Sequence, residues 1–237
     1  MKEKHRYHFW DFVNLTIFYS VFICFLVSLI IGIVEFGRGN LAISKLIYRF
    51  VLLLLLCVPF LVKKLFKISF SCVVGIVYYA YMFLAGFLGV VLELYVKLSF
   101  WDMIIHFLMG MCVAVLSIYV LNVTVYKKDR SRHNKLFTYL FMVSFTMAIC
   151  AIWEIGEFVF DLIFNMGYQR YVTYAGEVLI GQAALFDTMI DLCFGFGGAI
   201  VGVIFTIIAQ KIDNNFLKTF HIKKMHKMDV EVEDIEE

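Results

Sequence analysis

Residues 137–164 read FTYLFMVSFTMAICAIWEIGEFVFDLIF, and this stretch decides the fold. It exceeds the ~20 apolar residues that a helix needs to cross a bilayer at a rise of ~1.5 Å per residue. It also carries three acids, Glu154, Glu157 and Asp161, spaced i, i+3 and i+7. That spacing puts them on one helix face. A charge in hydrocarbon costs ~2.5–3.5 kcal/mol on insertion scales, so an acidic face inside a span is a functional candidate by default.

Two other hydrophobic segments carry sets of the same kind. Asp102 and His106 are spaced i, i+4, as are Asp187 and Asp191. With Glu154, Glu157 and Asp161 they make seven ionisable side chains on matched faces, and Glu93 at the end of a further segment is a candidate eighth.

The composition agrees with a membrane fold. Of 237 residues 62% are hydrophobic and 17% charged, and Pro59 is the single proline; mean hydropathy is +0.87. A soluble domain cannot hide that much apolar surface. Six spans are predicted, at about 13–34, 46–62, 69–92, 101–122, 137–164 and 187–209. All are helical, because hydrocarbon tolerates only backbones that satisfy their own hydrogen bonds. The expected fold class is therefore all-α, a polytopic membrane bundle forming a single domain over 1–210, with a basic then acidic, disordered tail over 211–237. The first span is too long for a signal-peptide core, and no small-x-small site follows it, so it is expected to stay as an anchor.

Orientation follows from the basic residues. Sixteen of the 21 lysines and arginines lie before the first span, between the second and third, between the fourth and fifth, or after the sixth. These sides and both termini are expected in the cytoplasm of a bacterium, at the inner membrane. No basic surface outside the membrane is long enough for nucleic acid. Cys24, Cys57, Cys72, Cys112, Cys150 and Cys193 all fall in predicted spans without a C-x-x-C pair, which fits buried free thiols.

With this topology all three ionisable sets lie in the outer half of the bilayer. Asp102 is near the outer surface with His106 ~6 Å deeper, Asp161 is near the outer end with Glu154 ~10 Å below, and Asp191 is one turn below Asp187. The inner halves carry only small polar groups such as Ser117, Ser144 and Thr146. The pattern describes a pocket open to the outside rather than a path across.

Two accounts of the acids stand side by side. Asp102 and Asp187 at helix starts fit simple N-terminal capping. Glu154, Glu157 and Asp161 near a helix C-terminus repel one another and the dipole, and need shared protons or a cation. As metal ligands, Asp102, His106, Glu154, Glu157, Asp161, Asp187 and Asp191 would make an oxygen-rich site suited to Mg²⁺, Mn²⁺, Ca²⁺ or iron, with Zn²⁺ also compatible. Arg170, in the long outer loop 165–186, could fold over the mouth; the loop's aromatics, Tyr168, Tyr171 and Tyr174, fit an interfacial belt better than a lid. Gly198-x-x-x-Gly202, Gly110-x-x-x-Ala114 and the Gly86/Gly89 pair would let helices approach closely.

The order Asp102-x-x-x-His106, Trp153-Glu154-x-x-Glu157, Gly181-Gln182, then Asp187-x-x-x-Asp191 before a glycine-rich helix resembles the YjdF-like family of bacterial inner-membrane proteins over about residues 75–205. It is more distantly similar to VanZ-like membrane domains associated with glycopeptide resistance. There the pattern has Gln and Asn where this chain has Glu157 and Asp191. The resemblance implies one constellation and supplies no reaction.

Three functions fit. The first is an envelope-facing enzyme, metal-assisted or acid/base, hydrolysing a lipid or lipid-linked substrate, with His106, Glu154, Glu157 and Asp191 as catalytic groups. The second is a cation or proton transporter. The third is a structural or partner-binding membrane protein whose acids are neutral. Membrane lipids are partners in all three.

Overall fold

A computed structural model of the chain describes residues 2–66, 68–69, 72–125, 134–164, 167–172, 176–214, 216 and 223–224. The orientation signals Lys67, Lys127, Lys128, Arg130, Arg132, Lys218 and Lys227, the loop residue Tyr174 and the acidic end 229–237 lie outside the described residues. What is described is nearly all helical: α1 (Lys2–Gly37), α2 (Ile43–Leu56), α3 (Val58–Phe66), α4 (Cys72–Met82) running into a π-helical turn set (Phe83–Val91), α5 (Leu94–Lys97), α6 (Trp101–Thr124), α7 (Lys135–Phe164) and α8 (Gln182–Ile212). Ile68–Ser69 and Lys223–Lys224 form a two-residue antiparallel pairing. Among the described residues five helices are long and apolar enough to cross a membrane: Phe12–Gly37, Val74–Val91, Trp101–Asn122, Lys135–Phe164 and Gln182–Ile212.

The predicted second span, 46–62, is not one helix. It is broken at Cys57 into α2 and α3, and the cause is Pro59. Proline has no N–H and its ring clashes with the carbonyl four residues back, here that of Leu55. The amide of Cys57 donates to Leu54 O at 3.0 Å, and those of Phe60 and Leu61 donate to Cys57 O at 3.1 and 3.2 Å. The orphaned Leu55 carbonyl accepts instead from the hydroxyl of Tyr78 on α4. The 14 residues of α2 reach only ~21 Å, short of a ~30 Å hydrocarbon core.

The described residues form two compact units, one from those before residue 92 with 223–224, the other from those from 92 to 216. The first is an aromatic-rich core. Phe18, Val21, Phe25, Leu52, Leu56, Tyr79 and Met82 are buried together, with Phe18 edge-on to Phe60 at 4.6 Å. Gly86 makes room for a ring, since a Cβ there would lie 2.8 Å from Phe25 Cζ.

The second unit is α6, α7 and α8, and its glycines make room for backbone. A Cβ on Gly110 would lie 2.1 Å from Gly195 O, and one on Gly198 would lie 2.0 Å from Phe107 O. Gly202 faces Ala114 and Met111. The small-residue spacing read in the sequence is thus the α6–α8 contact surface, where small residues let backbones touch. Ala114, Ile118, Met142 and Ala199 fill the core beside it. Away from that core the helices present Ile155, Leu162, Leu185 and Met189 outward, as helices solvated by lipid do.

Candidate functional site

The seven residues singled out from the sequence all lie in the second unit, and six of them, all but Glu157, divide into two tiers. The tier at the loop end comprises Asp102, Asp161 and Asp187, one from each helix, and all three grip the α7–α8 loop. Asp161 accepts the amides of Tyr168 on Oδ1 and Gln169 on Oδ2, both at 2.9 Å. Asp102 Oδ2 lies 3.0 Å from Arg170 Nη2, and Asp187 Oδ1 lies 3.3 Å from Arg170 Nη1. One guanidinium fork therefore joins α6 to α8, as its planar geometry allows.

Helix capping does not account for Asp102 or Asp187. Helix α8 starts at Gln182, five residues before the expected 187, and its N-cap Gly181 sits at φ 64 with no side-chain cap. Asp187 is thus in the second turn. Asp102 follows Trp101 inside α6, and Phe100 at the N-cap position also gives no side-chain bond. Both carboxylates turn instead to Arg170.

The second tier lies further along the helices. His106 is one turn past Asp102, Asp191 one turn past Asp187, and Glu154 two turns before Asp161. Their relative exposures are 3%, 1% and 5%. His106 Nε2 lies 3.5 Å from Asp102 Oδ1 and 3.9 Å from Asp191 Oδ2, while Nδ1 lies 3.8 Å from Glu154 Oε1. None of these is a hydrogen bond. His106 Nδ1, both Glu154 oxygens, Asp191 Oδ2 and, at the loop end, Asp187 Oδ2 are buried without a hydrogen bond of good geometry among the described residues, although the Thr188 side chain lies against the Glu154 carboxyl. Buried polar atoms are nearly always satisfied, so several orphans converging on one point need a reason.

A metal ion supplies one. Ligand atoms of Asp102, His106 and Asp191 all lie within 4.8 Å of one another, and all three residues are buried. A cation ~2.0–2.2 Å from each nitrogen or oxygen sets them about 3.0–3.6 Å apart; the 3.5 Å between His106 and Asp102 falls in that range, and the 3.9 Å to Asp191 would have to close on binding. The imidazole presents Nε2 to the two aspartates and turns Nδ1 towards Glu154, the relation by which a carboxylate orients a metal-binding histidine.

The remaining candidates are outside this group of three, although the Glu157 carboxyl is close enough to Glu154, Asp102 and Asp191 to feel their charge. Glu157, half-buried, accepts a 2.8 Å hydrogen bond from the indole of Trp153, which is 40% exposed. Glu93, exposed, stands at φ 61 at the head of α5. Cys150, fully buried, fills the notch over Gly195, where a Cβ would lie 2.7 Å from its Sγ.

Some polar groups escaped the sequence reading. Gln169 Nε2 donates to Thr188 Oγ1 at 3.3 Å, adding another loop-to-α8 tie. Asn122 and Gln210 are buried towards the far ends of α6 and α8; each was visible as a lone amide in an apolar run. Ser117 and Thr146, which the sequence did single out, and Thr206 are also buried and donate to carbonyls of their own helices.

A model for a family described as a predicted membrane protein, DUF2238, matches residues 15–211. The chain belongs to this family. Its five apolar helices and its buried carboxylate–histidine cluster thus belong to a membrane protein. No curated protein and no solved structure matches the chain.

Proposed function

We propose that the chain is a membrane-embedded, metal-dependent hydrolase acting on a lipid or lipid-linked envelope substrate, with Asp102, His106 and Asp191 as the cation's ligands. The observation that carries this reading is the convergence around His106 of buried acid and base atoms without a hydrogen bond of good geometry. A divalent cation there would supply Lewis acidity and an activated water at neutral pH. Three protein ligands leave further positions open, as catalytic rather than structural sites do.

The chain's own groups then divide the work. Asp102 and Asp191 provide negative charge and His106 provides nitrogen. Glu154 faces Nδ1 at 3.8 Å, where it would orient the imidazole if the two drew together on metal binding. Glu154 would serve as the acceptor of a proton from water and later as the donor to a leaving group. Glu157, whose Oε1 accepts from Trp153, borders Glu154 and adds to the negative charge around the site. In this reading the loop end faces outward across a bacterial plasma membrane with both termini cytoplasmic, as the distribution of basic residues supports. A substrate in the outer leaflet would then meet the site from the bilayer or from the loop end. The likeness to YjdF-like and VanZ-like proteins is consistent with an envelope role.

Elemental analysis of the detergent-purified protein, beside His106→Ala and Asp191→Asn, tests the proposal. Close to one metal per chain, lost in both folded variants, supports it, and hydrolysis of envelope lipids by the loaded protein is the next assay. No metal after resupply with Mg²⁺, Mn²⁺ and Zn²⁺ would sink it, and carboxylates sharing protons in a transporter or structural protein would take its place.

A further inference from the structure

The loop that covers the site is built to hold one side chain in place. Arg170 stands at φ 47, a left-handed conformation that non-glycine residues seldom adopt and that persists where the surroundings dictate it. Its amide donates to Gly167 O at 3.2 Å, closing a turn. Just before it, Asp161 pins the amides of Tyr168 and Gln169. Just after it, Val172 bridges Val178, and the amide of Leu179 donates to Tyr171 O at 2.8 Å. The guanidinium delivered by this frame meets Asp102 and Asp187, and Nη2 also reaches Tyr95 O at 3.5 Å.

Asp102 is the shared element. Its Oδ2 is held by Arg170 at 3.0 Å while its Oδ1 faces His106 Nε2 at 3.5 Å. A carboxylate fixed through one oxygen has the direction of its other oxygen fixed too, and ligating carboxylates are commonly held this way. We infer that Arg170 is a positioning residue for the metal centre: by clamping Asp102 against Asp187 it aims Asp102 Oδ1 at the cation, so that loop closure and metal binding are coupled. This rests on the metal reading above. Coupling is reciprocal, so if the clasp tightens metal binding, metal must tighten the clasp by the same factor.

Charge alone predicts the opposite sign. A guanidinium next to the ligands repels a cation, so removing it would strengthen binding, and lysine would substitute for it. Positioning by a planar fork predicts weaker binding for both Arg170→Ala and Arg170→Lys, because an ammonium cannot bridge the two carboxylates in the same way.

The test titrates the metal-free, full-length protein in detergent with Mn²⁺ and with Zn²⁺ by calorimetry, with far-UV circular dichroism as the control for folding. At least a tenfold loss of affinity is expected in Arg170→Ala and Arg170→Lys, and a severalfold loss in Asp187→Ala, which frees the clamp without touching a ligand. In parallel, metal should slow hydrogen exchange over residues 167–172 of the parent. Unchanged or tighter binding in Arg170→Ala overturns the inference and leaves the metal centre standing. No binding by the parent overturns both. Should Arg170→Ala fail to fold, the parent's exchange still decides, since no slowing by metal rules the coupling out.

Discussion

Asp102, Asp161 and Asp187 differ from His106, Glu154 and Asp191 by one or two helical turns on the same three helices. At the loop end each carboxylate has found an amide or a guanidinium, and the loop is shaped by meeting them. Further in, four of the tier's side-chain atoms are buried with no hydrogen bond of good geometry among the described residues. Residue type and spacing do not separate the two groups; what lies opposite them does. Asp161 and Asp187 build structure with the loop, and Asp102 does so through Oδ2 while its Oδ1 faces His106; His106, Glu154 and Asp191 are held ready for something the chain does not contribute.

Both tiers depend on α6 and α8 lying in backbone contact, so the largest expected effect comes from parting those helices. Gly198→Leu would force a Cβ into the space 2.0 Å from Phe107 O. Overpacking a tight contact costs about 1–3 kcal/mol and sometimes more, and here backbone must move. Loss of the folded protein is expected, read by thermal unfolding in detergent. Gly156→Ala is the control, because nothing lies within 4 Å of a Cβ there and alanine favours helix by ~0.8–1 kcal/mol. Unfolding of both variants alike would contradict the contact.

The next effect separates the tiers. His106→Ala should abolish bound metal while the helices persist, since it removes the one ligand that faces both aspartates. Asp161→Ala should do the reverse. It strips two loop amides of a charged acceptor, at ~1.5–3 kcal/mol for each hydrogen bond to a charged group, yet its carboxylate is not among the ligand atoms grouped around His106. Faster hydrogen exchange at Tyr168 and Gln169 with metal still bound is the expected outcome. Loss of metal equal to that of His106→Ala would merge the tiers again.

Part of this was legible in the sequence because helix periodicity is local. The faces bearing Asp102 with His106, Glu154 with Glu157, and Asp187 with Asp191 follow from spacing alone, as does the capacity for close approach at Gly110, Gly198 and Gly202, though not that α6 and α8 are the pair that meets. Which atoms meet across helices does not, because i, i+4 arithmetic ends with each helix. Asp187 resembled a cap because an apolar run starts beside it, but Gly181 lets α8 begin five residues earlier. The break at Cys57 was hidden by a continuous apolar run, although Pro59 was there to be weighed. Arg170 lies in a loop without periodicity, where its partners are fixed by contacts some 70 residues away in the chain, as with Tyr95.

The smallest effect concerns Glu157, which shares a helix face with Glu154 by spacing but is bonded elsewhere. Trp153 Nε1 donates to its Oε1 at 2.8 Å, so Trp153→Phe keeps an aromatic ring at the lipid boundary and removes only the donor. A single hydrogen bond contributes ~0.5–1.5 kcal/mol net, and a shift of that order in unfolding is expected. Metal content should not change, because Glu157 is outside the group of ligand atoms around His106. If metal falls with the indole N–H removed, Glu157 belongs with the deeper tier, and the division would lie between helix edges rather than between depths.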